Sequence, residues 1–164
     1  MSQKWSLRIG LGYDAHKYTE GRPLRLGGIT IPYEKGLLGH SDADVVLHAI
    51  CDALLGAANL GDIGQLFPPS DPQYKDIDSR HLLKVVRERI WAAGWEIVNI
   101  DVVIIAQRPR LSPYYPAMRE SIATTLEIPL ENVSLKATTP EGMGALGREE
   151  GVAAYAVALL QRAS

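Results

Sequence analysis

Cysteine is almost missing from this chain, with Cys51 the only one in 164 residues. A lone thiol excludes a disulfide framework and a cysteine-rich zinc module, and it fits a reducing compartment. A basic excess is missing too, since 17 Lys and Arg stand against 19 Asp and Glu for a net charge of -2. Non-specific binding to nucleic acid or to an anionic membrane surface needs the opposite balance, so neither partner is expected. No apolar run approaches the ~20 residues of a membrane span. The opening Met1-Ser-Gln-Lys-Trp-Ser6 lacks the apolar centre of a secretory signal. These absences together predict a soluble, cytoplasmic protein. Repeats, low-complexity tracts and linkers are absent as well, so residues 1–164 read as a single domain. What is present is an ordinary core composition, 46% hydrophobic. A chain of this length buries roughly 70% of its unfolded surface, so a metal is not needed for folding and is free to serve chemistry.

The hydrophobic pattern alternates between two periods. Leu7, Ile9 and Leu11 alternate with Arg8, Gly10 and Gly12, a strand running toward Asp14. Leu24 and Leu26, then Ile29 and Ile31, are short arms split by Gly27-Gly28, the pattern of a tight hairpin. From Ala43 to Ala58 the positions Val46, Leu47, Ile50, Ala53, Leu54 and Ala57 recur at helical spacing, with Ser41-x-x-Asp44 resembling a capping box and Gly61 a stop. A second helix runs from Ser79 to Ala93 with Leu82, Val85, Val86, Ile90 and Trp91 inward, ending at Gly94. Ile97 to Ala106 reads as a strand, apolar on both faces over Val102 to Ile105 and therefore central in a sheet. A third helix covers Tyr115 to Leu126 and a strand Val133 to Ala137. For Gly151 to Leu160, alanine content favours helix while the period does not settle the matter. Strands alternating with long helices predict an α/β or α+β fold, a sheet with helices packed on it.

Four histidines occur, at 16, 40, 48 and 81, and three of them cluster near acidic residues in the first third. Asp14 and His16 are two apart at a strand end, so an extended backbone sends both side chains from one face. His48 sits in the first long helix, with Asp44 and Asp52 one turn to either side. An Asp-His-His set gives zinc three protein ligands and leaves a fourth position for substrate. Spacing alone leaves a second reading open, in which Asp14-x-His16 is a turn and His48 bonds Asp52. His81, between Arg80 and Lys84, reads as surface, and Cys51, with no histidine in register to activate it, as core.

Four blocks carry a more specific signal. They are Arg8-Ile-Gly-Leu-Gly-Tyr-Asp-Ala-His16, Gly36-Leu-Leu-Gly-His-Ser-Asp-Ala-Asp-Val-Val-Leu-His48, the run Leu55 to Pro68 containing Gly-Asp-Ile-Gly, and Lys136-Ala-Thr-Thr-Pro-Glu-Gly-Met through Arg148 to Gly151. In order and spacing, over nearly the whole chain, they resemble the 2-C-methyl-D-erythritol 2,4-cyclodiphosphate synthase family. The resemblance implies a ferredoxin-like mixed sheet with helices on one face, assembled as a homotrimer with active sites between subunits. It implies zinc-assisted intramolecular phosphoryl transfer, converting 4-diphosphocytidyl-2-C-methyl-D-erythritol 2-phosphate to the cyclic diphosphate and CMP in non-mevalonate isoprenoid biosynthesis. By the family pattern Asp14, His16 and His48 hold Zn2+, and Glu141 serves a second divalent ion, Mg2+ or Mn2+. His40 and Thr139 correspond to the transition-state-stabilising pair. His40 and Ser41 contact phosphate and diol, and Asp62, Ile63, Gly64, Phe67, Pro68 and Asp71 form a loop closing on the substrate. Ala106 to Ser112 of a neighbouring subunit, with Ala106, Gln107 and Pro109 foremost, hold cytosine largely through backbone, Thr138 and Thr139 the α-phosphate, and Arg148 lies toward the trimer axis, where an isoprenoid diphosphate binds in other members. The resemblance also makes Gly151 to Leu160 a strand.

Four positions depart from that pattern. Pro69 stands where many relatives carry Asp, which stiffens the loop; Ala145 and Leu146 replace an aromatic-hydroxyl pair; and Glu149 adds charge near the axis where Gly is frequent. Two rival readings use the same residues: a zinc-dependent nucleotide phosphohydrolase making linear products, and a non-enzymatic trimer sensing CDP-type or isoprenoid diphosphate ligands.

Overall fold

A computed structural model describes residues 6–163; the opening stretch Met1 to Trp5 and Ser164 lie outside the described residues. In chain order the elements are β1 (Leu7–Thr19), β2 (Leu24–Leu26), β3 (Ile29–Ile31), β4 (Gly36–Leu37), α1 (Val45–Ala57), α2 (Ile63–Leu66), α3 (Ser79–Ala92), β5 (Trp95–Ile105), α4 (Tyr115–Leu126), β6 (Val133–Thr138), α5 (Gly144–Gly147) and β7 (Gly151–Arg162). Among the described residues they form a five-stranded sheet of order β4-β1-β7-β5-β6 and the separate hairpin β2-β3. Strand β7 runs antiparallel to both β1 and β5, while β5 and β6 are parallel, joined through α4. The mixed α/β sheet is as expected. Its order is not ferredoxin-like: the large elements run β-α-α-β-α-β-β, so that two strands end the chain, whereas a ferredoxin-like sheet is built β-α-β-β-α-β. Here β6 pairs parallel to β5 by a crossover, and the last strand inserts between β1 and β5.

Small residues bring α1 down onto the sheet. A Cβ on Gly10 would lie 1.9 Å from the Ala53 carbonyl oxygen, and one on Gly12 equally close to that of Ala49. Ala154, Ala156 and Ala158 of β7 are fully buried alongside. This is why the alanine-rich tail is a strand despite its helical propensity: the central strand needs short side chains beneath a close helix, and tertiary packing overrides propensity. The core then fills with Leu47, Ile50 and Leu54 of α1, Ile100 and Ile104 of β5, and Leu83 and Ile90 of α3, all fully buried. The opposite sheet face is uncovered, exposing Ile9 at 76% and Leu11 at 66%, beside Leu7, Tyr13, Tyr155 and Val157.

Several local expectations need correction. The N-cap of α1 is Asp44, not Ser41, and the helix starts at Val45 rather than Ala43, because Ala43 takes a left-handed φ of 60°. The buried Asp44 carboxylate accepts from Val46 N and Leu47 N at 3.1 Å, and from Gly27 N at 2.9 Å and Gly28 N at 2.7 Å, so it ties the hairpin to the helix. Gly27 and Gly28 both have positive φ, as a two-residue hairpin of this kind requires. Helix α1 ends at Ala57, with Asn59 rather than Gly61 taking the first left-handed position beyond it. Trp91 is not inward but 49% exposed, its ring stacked 4.2 Å from the guanidinium of the more deeply buried Arg87. Strand β5 begins at Trp95, two residues early, with a register shift between Ile97 and Asn99. Among the described residues no helix is long and apolar enough to cross a membrane.

Candidate active site

Gly10, Gly12, Asp14 and His16 alternate along β1 and so share the face that meets α1. The close approach that the glycines permit at Ala49 and Ala53 carries His48, one residue before Ala49, to Asp14. His48 Nδ1 is 2.9 Å and His16 Nε2 3.1 Å from Asp14 Oδ2. One ligand atom from each of the three residues lies within 4.8 Å of the others, and among the described residues no other trio of His, Cys, Asp or Glu does so. Ligands about 2.0 to 2.1 Å from a tetrahedral zinc stand about 3.3 Å apart, so the donor set suits such an ion with one position left open. Burial pushes the Asp14 carboxyl up, but hydrogen bonds and charge from His16 and His48 outweigh it and hold it down at about 2. Burial pushes His48 down, and the hydrogen bond and charge of Asp14 more than reverse this, leaving it raised. The alternative contact of His48 with Asp52 does not form. Asp52 instead accepts from Ile63 N at 2.7 Å, anchoring the start of α2 to α1.

Beside the trio, a cavity of about 180 Å³ is lined by His16, His40, Ser41, Ile63, Gly64, Phe67, Pro69, Tyr74 and Leu82. Ser41 Oγ accepts from Ala43 N at 3.2 Å and lies 3.2 Å from His48 Nε2. His40 Nε2 donates to the Asp71 carbonyl at 2.8 Å, so the expected loop residue Asp71 is held by its backbone, while its side chain caps a short turn at Gln73. Asp62 caps α2 by accepting from Gln65 N at 2.9 Å and is exposed, as are Gly64 and Pro68. Pro69, a departure from the family pattern, lines the cavity directly.

A larger cleft of about 590 Å³ lies elsewhere, lined by Tyr33, the segment 106–112, Tyr115 and the segment 137–139. It collects the expected segment Ala106 to Ser112 with Thr138 and Thr139, and adds Tyr33 and Tyr115, which sequence reasoning missed because nothing in their spacing links them. Tyr115 accepts from Ala137 N at 2.6 Å and Tyr18 donates to the Arg108 carbonyl at 2.6 Å, so two phenols fix the cleft's backbone. Thr139 and His40 line different cavities, so one chain does not bring the expected catalytic pair into one pocket. Glu141 is exposed, outside the trio, at a left-handed φ of 55°, its N–H 3.3 Å from Thr139 Oγ1. Arg148 is exposed and donates to Glu150 at 2.8 Å, while Glu149 keeps a left-handed φ of 62° without being glycine and pairs with Arg108 at 3.2 Å. Ser79 and Asp42 were also missed: Ser79 Oγ meets His48 Nε2 at 2.8 Å from 31 residues away, and it donates in turn to Asp42 Oδ1.

A mixed sheet that brings one possible ligand atom from each of Asp14, His16 and His48 together, with a small cavity beside them and a larger cleft apart, defines a class of protein able to hold a metal ion next to a binding pocket. Comparison with known proteins narrows the class. The chain belongs to the YgbB family, which it matches over residues 7–161. It is 59% identical over 157 residues to the 2-C-methyl-D-erythritol 2,4-cyclodiphosphate synthase of Syntrophomonas wolfei, covering 96% of this chain and 100% of that one. Among solved structures it resembles the bifunctional IspDF from Campylobacter jejuni, with TM-score 0.94 and 41% identity, over 97% of this chain and 43% of that one. It also resembles Plasmodium falciparum IspF in its CDP complex, with TM-score 0.86 and 34% identity, over 99% of this chain and 100% of that one.

Proposed function

We propose that the chain is a 2-C-methyl-D-erythritol 2,4-cyclodiphosphate synthase, a phosphorus-oxygen lyase dependent on divalent metal. The observation that carries this reading is the Asp14, His16 and His48 trio opening beside His40 and Ser41. It stands in a chain similar along its length to a synthase of that name. In the reaction the 2-phosphate oxygen bonds to the β-phosphorus, the bond from that phosphorus to the oxygen bridging the α-phosphate breaks, and CMP leaves with the bridging oxygen. Such a transfer is catalysed mainly by alignment and charge neutralisation. Lewis-acid neutralisation is what Zn2+ on Asp14, His16 and His48, and Mg2+ or Mn2+ at Glu141, supply when bound. The chain's own groups do the positioning. Ser41 and His40 bind the methylerythritol phosphate, and Asp62, Ile63, Gly64, Phe67, Pro68 and Asp71 close over the diol. Thr138 and Thr139 donate to the diphosphate, and the 590 Å³ cleft with Ala106, Gln107 and Pro109 takes the cytidine. The CDP complex of the Plasmodium falciparum relative supports a CDP-linked substrate.

The separation of Thr139 from His40 supports a site shared between copies. The uncovered face of β1 and β7, with Ile9 at 76% and Leu11 at 66% exposure, supports a homotrimer packed through that face. Each copy acts as one catalytic domain over residues 1–164, in the cytoplasm, where the buried Cys51 needs no partner. Arg148 serves an axial site for an isoprenoid diphosphate, with the charge of Glu149 paired to Arg108 at 3.2 Å. Phosphorus NMR of the protein with 4-diphosphocytidyl-2-C-methyl-D-erythritol 2-phosphate and magnesium tests the reading. Two coupled resonances of a cyclic diphosphate with CMP, lost on zinc chelation, are expected; linear phosphates or untouched substrate contradict it.

A further inference from the structure

Both ring nitrogens of His48 are engaged, and the second carries information that the ligand trio does not. Nδ1 faces Asp14, while Nε2 lies 2.8 Å from Ser79 Oγ and 3.2 Å from Ser41 Oγ. Ser79 is fully buried at the first residue of α3, with its Oγ 2.5 Å from Asp42 Oδ1 and its backbone N–H 3.0 Å from Asp42 Oδ2. Asp42 also faces Asp44 N at 3.2 Å and the Arg25 guanidinium at 3.7 Å. All four neighbours are donors, so the Asp42 carboxylate acts wholly as an acceptor. A hydroxyl has one proton to give, and that of Ser79 is committed to Asp42. The 2.8 Å contact must then be donated by His48 Nε2–H.

We propose that Asp42 and Ser79 form a positioning relay that fixes His48 in its Nε2–H tautomer and aims the Nδ1 lone pair at the metal site. This rests on the metal reading above, yet neither residue belongs to the ligand trio. A metal-bound imidazole generally donates its remaining N–H to an outer partner, and loss of that partner weakens binding by about 10- to 100-fold. The relay also gives Arg25 a role, since it holds Asp42 from the hairpin through its Nε and reaches Asp78, the N-cap of α3, at 3.4 Å. Arg25, Asp42 and Ser79 are thereby linked in one chain of contacts that ends on a single imidazole nitrogen.

The test measures zinc affinity of the full chain by competition with a chromophoric chelator, for wild type, Ser79→Ala and Ser79→Thr. Ser79→Ala is expected to bind about 10- to 100-fold more weakly and Ser79→Thr, which keeps the hydroxyl, close to wild type. Long-range proton-nitrogen NMR of the zinc-loaded wild type is expected to place the His48 proton on Nε2. Ser79→Ala with wild-type affinity overturns the relay and leaves the metal site standing. Wild type that takes no zinc overturns both. Should Ser79→Ala fail to fold by circular dichroism, the wild-type spectrum decides, and a proton on Nδ1 overturns the relay.

Discussion

Asp14, His16 and His48 stand on the long strand β1 and the helix α1, half-buried and already joined to one another and to buried Ser79 by hydrogen bonds. Thr138, Thr139 and Glu141 stand at the exposed end of β6 and the turn beyond it, with few partners of their own. The first region sits where two elements are pressed together by glycine and alanine, so its geometry is set by the core. Thr138 and Thr139 of the second region line an open cleft, two of whose backbone groups are held by the phenols of Tyr115 and Tyr18. The difference teaches where precision is needed within one chain: ligand atoms must be placed to a few tenths of an ångström before substrate arrives. Under the proposed function, the groups that would grip a diphosphate can wait for substrate, or for a second copy.

Changes in the two regions should therefore have different signatures. His48→Ala removes a ligand from the fixed region, and both bound zinc and turnover should fall by more than the roughly 100-fold that outer partners account for, while the fold persists. Retention of stoichiometric zinc, measured by atomic absorption on the purified variant, would refute the ligand assignment. Thr139→Ala acts only in the open region and should lower turnover on the order of 10²-fold with zinc content unchanged. Steady-state kinetics matching wild type would remove Thr139 from the machinery.

Packing gives a third contrast. Gly12→Ala places a Cβ 1.9 Å from a backbone oxygen of α1, so the helix must shift and stability should drop by about 1 to 3 kcal/mol, with zinc affinity falling too. Gly142→Ala meets no atom within 4 Å and should cost about 1 kcal/mol or less, from its φ of 72° alone, with zinc affinity unmoved. Thermal melts read alongside zinc titrations separate the two; equal effects at both positions would dissolve the distinction.

The smallest effect is a pH slope. His48 is raised in the folded protein, so in the zinc-free form its contribution is fully present below about 6.5 and is lost as pH rises through the folded value. Asp14 is lowered from 3.8 to about 2, so its contribution holds above the usual carboxylate range and vanishes as pH falls toward 2. Zinc-free protein should thus melt lower as pH is raised from about 6 to 9, and zinc should reverse the trend because the bound nitrogen must be free of its proton. The same slope in His48→Gln would show that other groups set it.

Much of this was legible in the sequence, for identifiable reasons. Alternation along β1 placed Asp14 and His16 on one face because a strand has a strict period of two. The Gly27-Gly28 hairpin and the helices over Tyr115 to Leu126 and Ser79 to Ala92 followed from local chemistry. What local chemistry does not contain was misread. The position of β7 inside the sheet is a tertiary fact that decides the fold order; the strand identity of that alanine-rich segment, which propensity left open, was read correctly from the family resemblance. Trp91 turned outward because Arg87 fills the inward position and offers its guanidinium to the ring. Asp44 took the cap expected of Ser41 because it also satisfies two hairpin N–H groups. Ser79, read only as a helix start, meets His48 across 31 residues, a distance over which spacing carries no signal.

The most direct test of the central claim, that the fixed region and the open region of different copies together make one site, is complementation. His48→Ala and Thr139→Ala chains are unfolded together, refolded as a mixture and assayed for CMP release. Each inactive variant retains the half that the other lacks, so an equal mixture in trimers should recover about a quarter of wild-type sites by random assembly. No recovery at any mixing ratio, with trimers confirmed by light scattering, would contradict a shared site and place both halves in one chain.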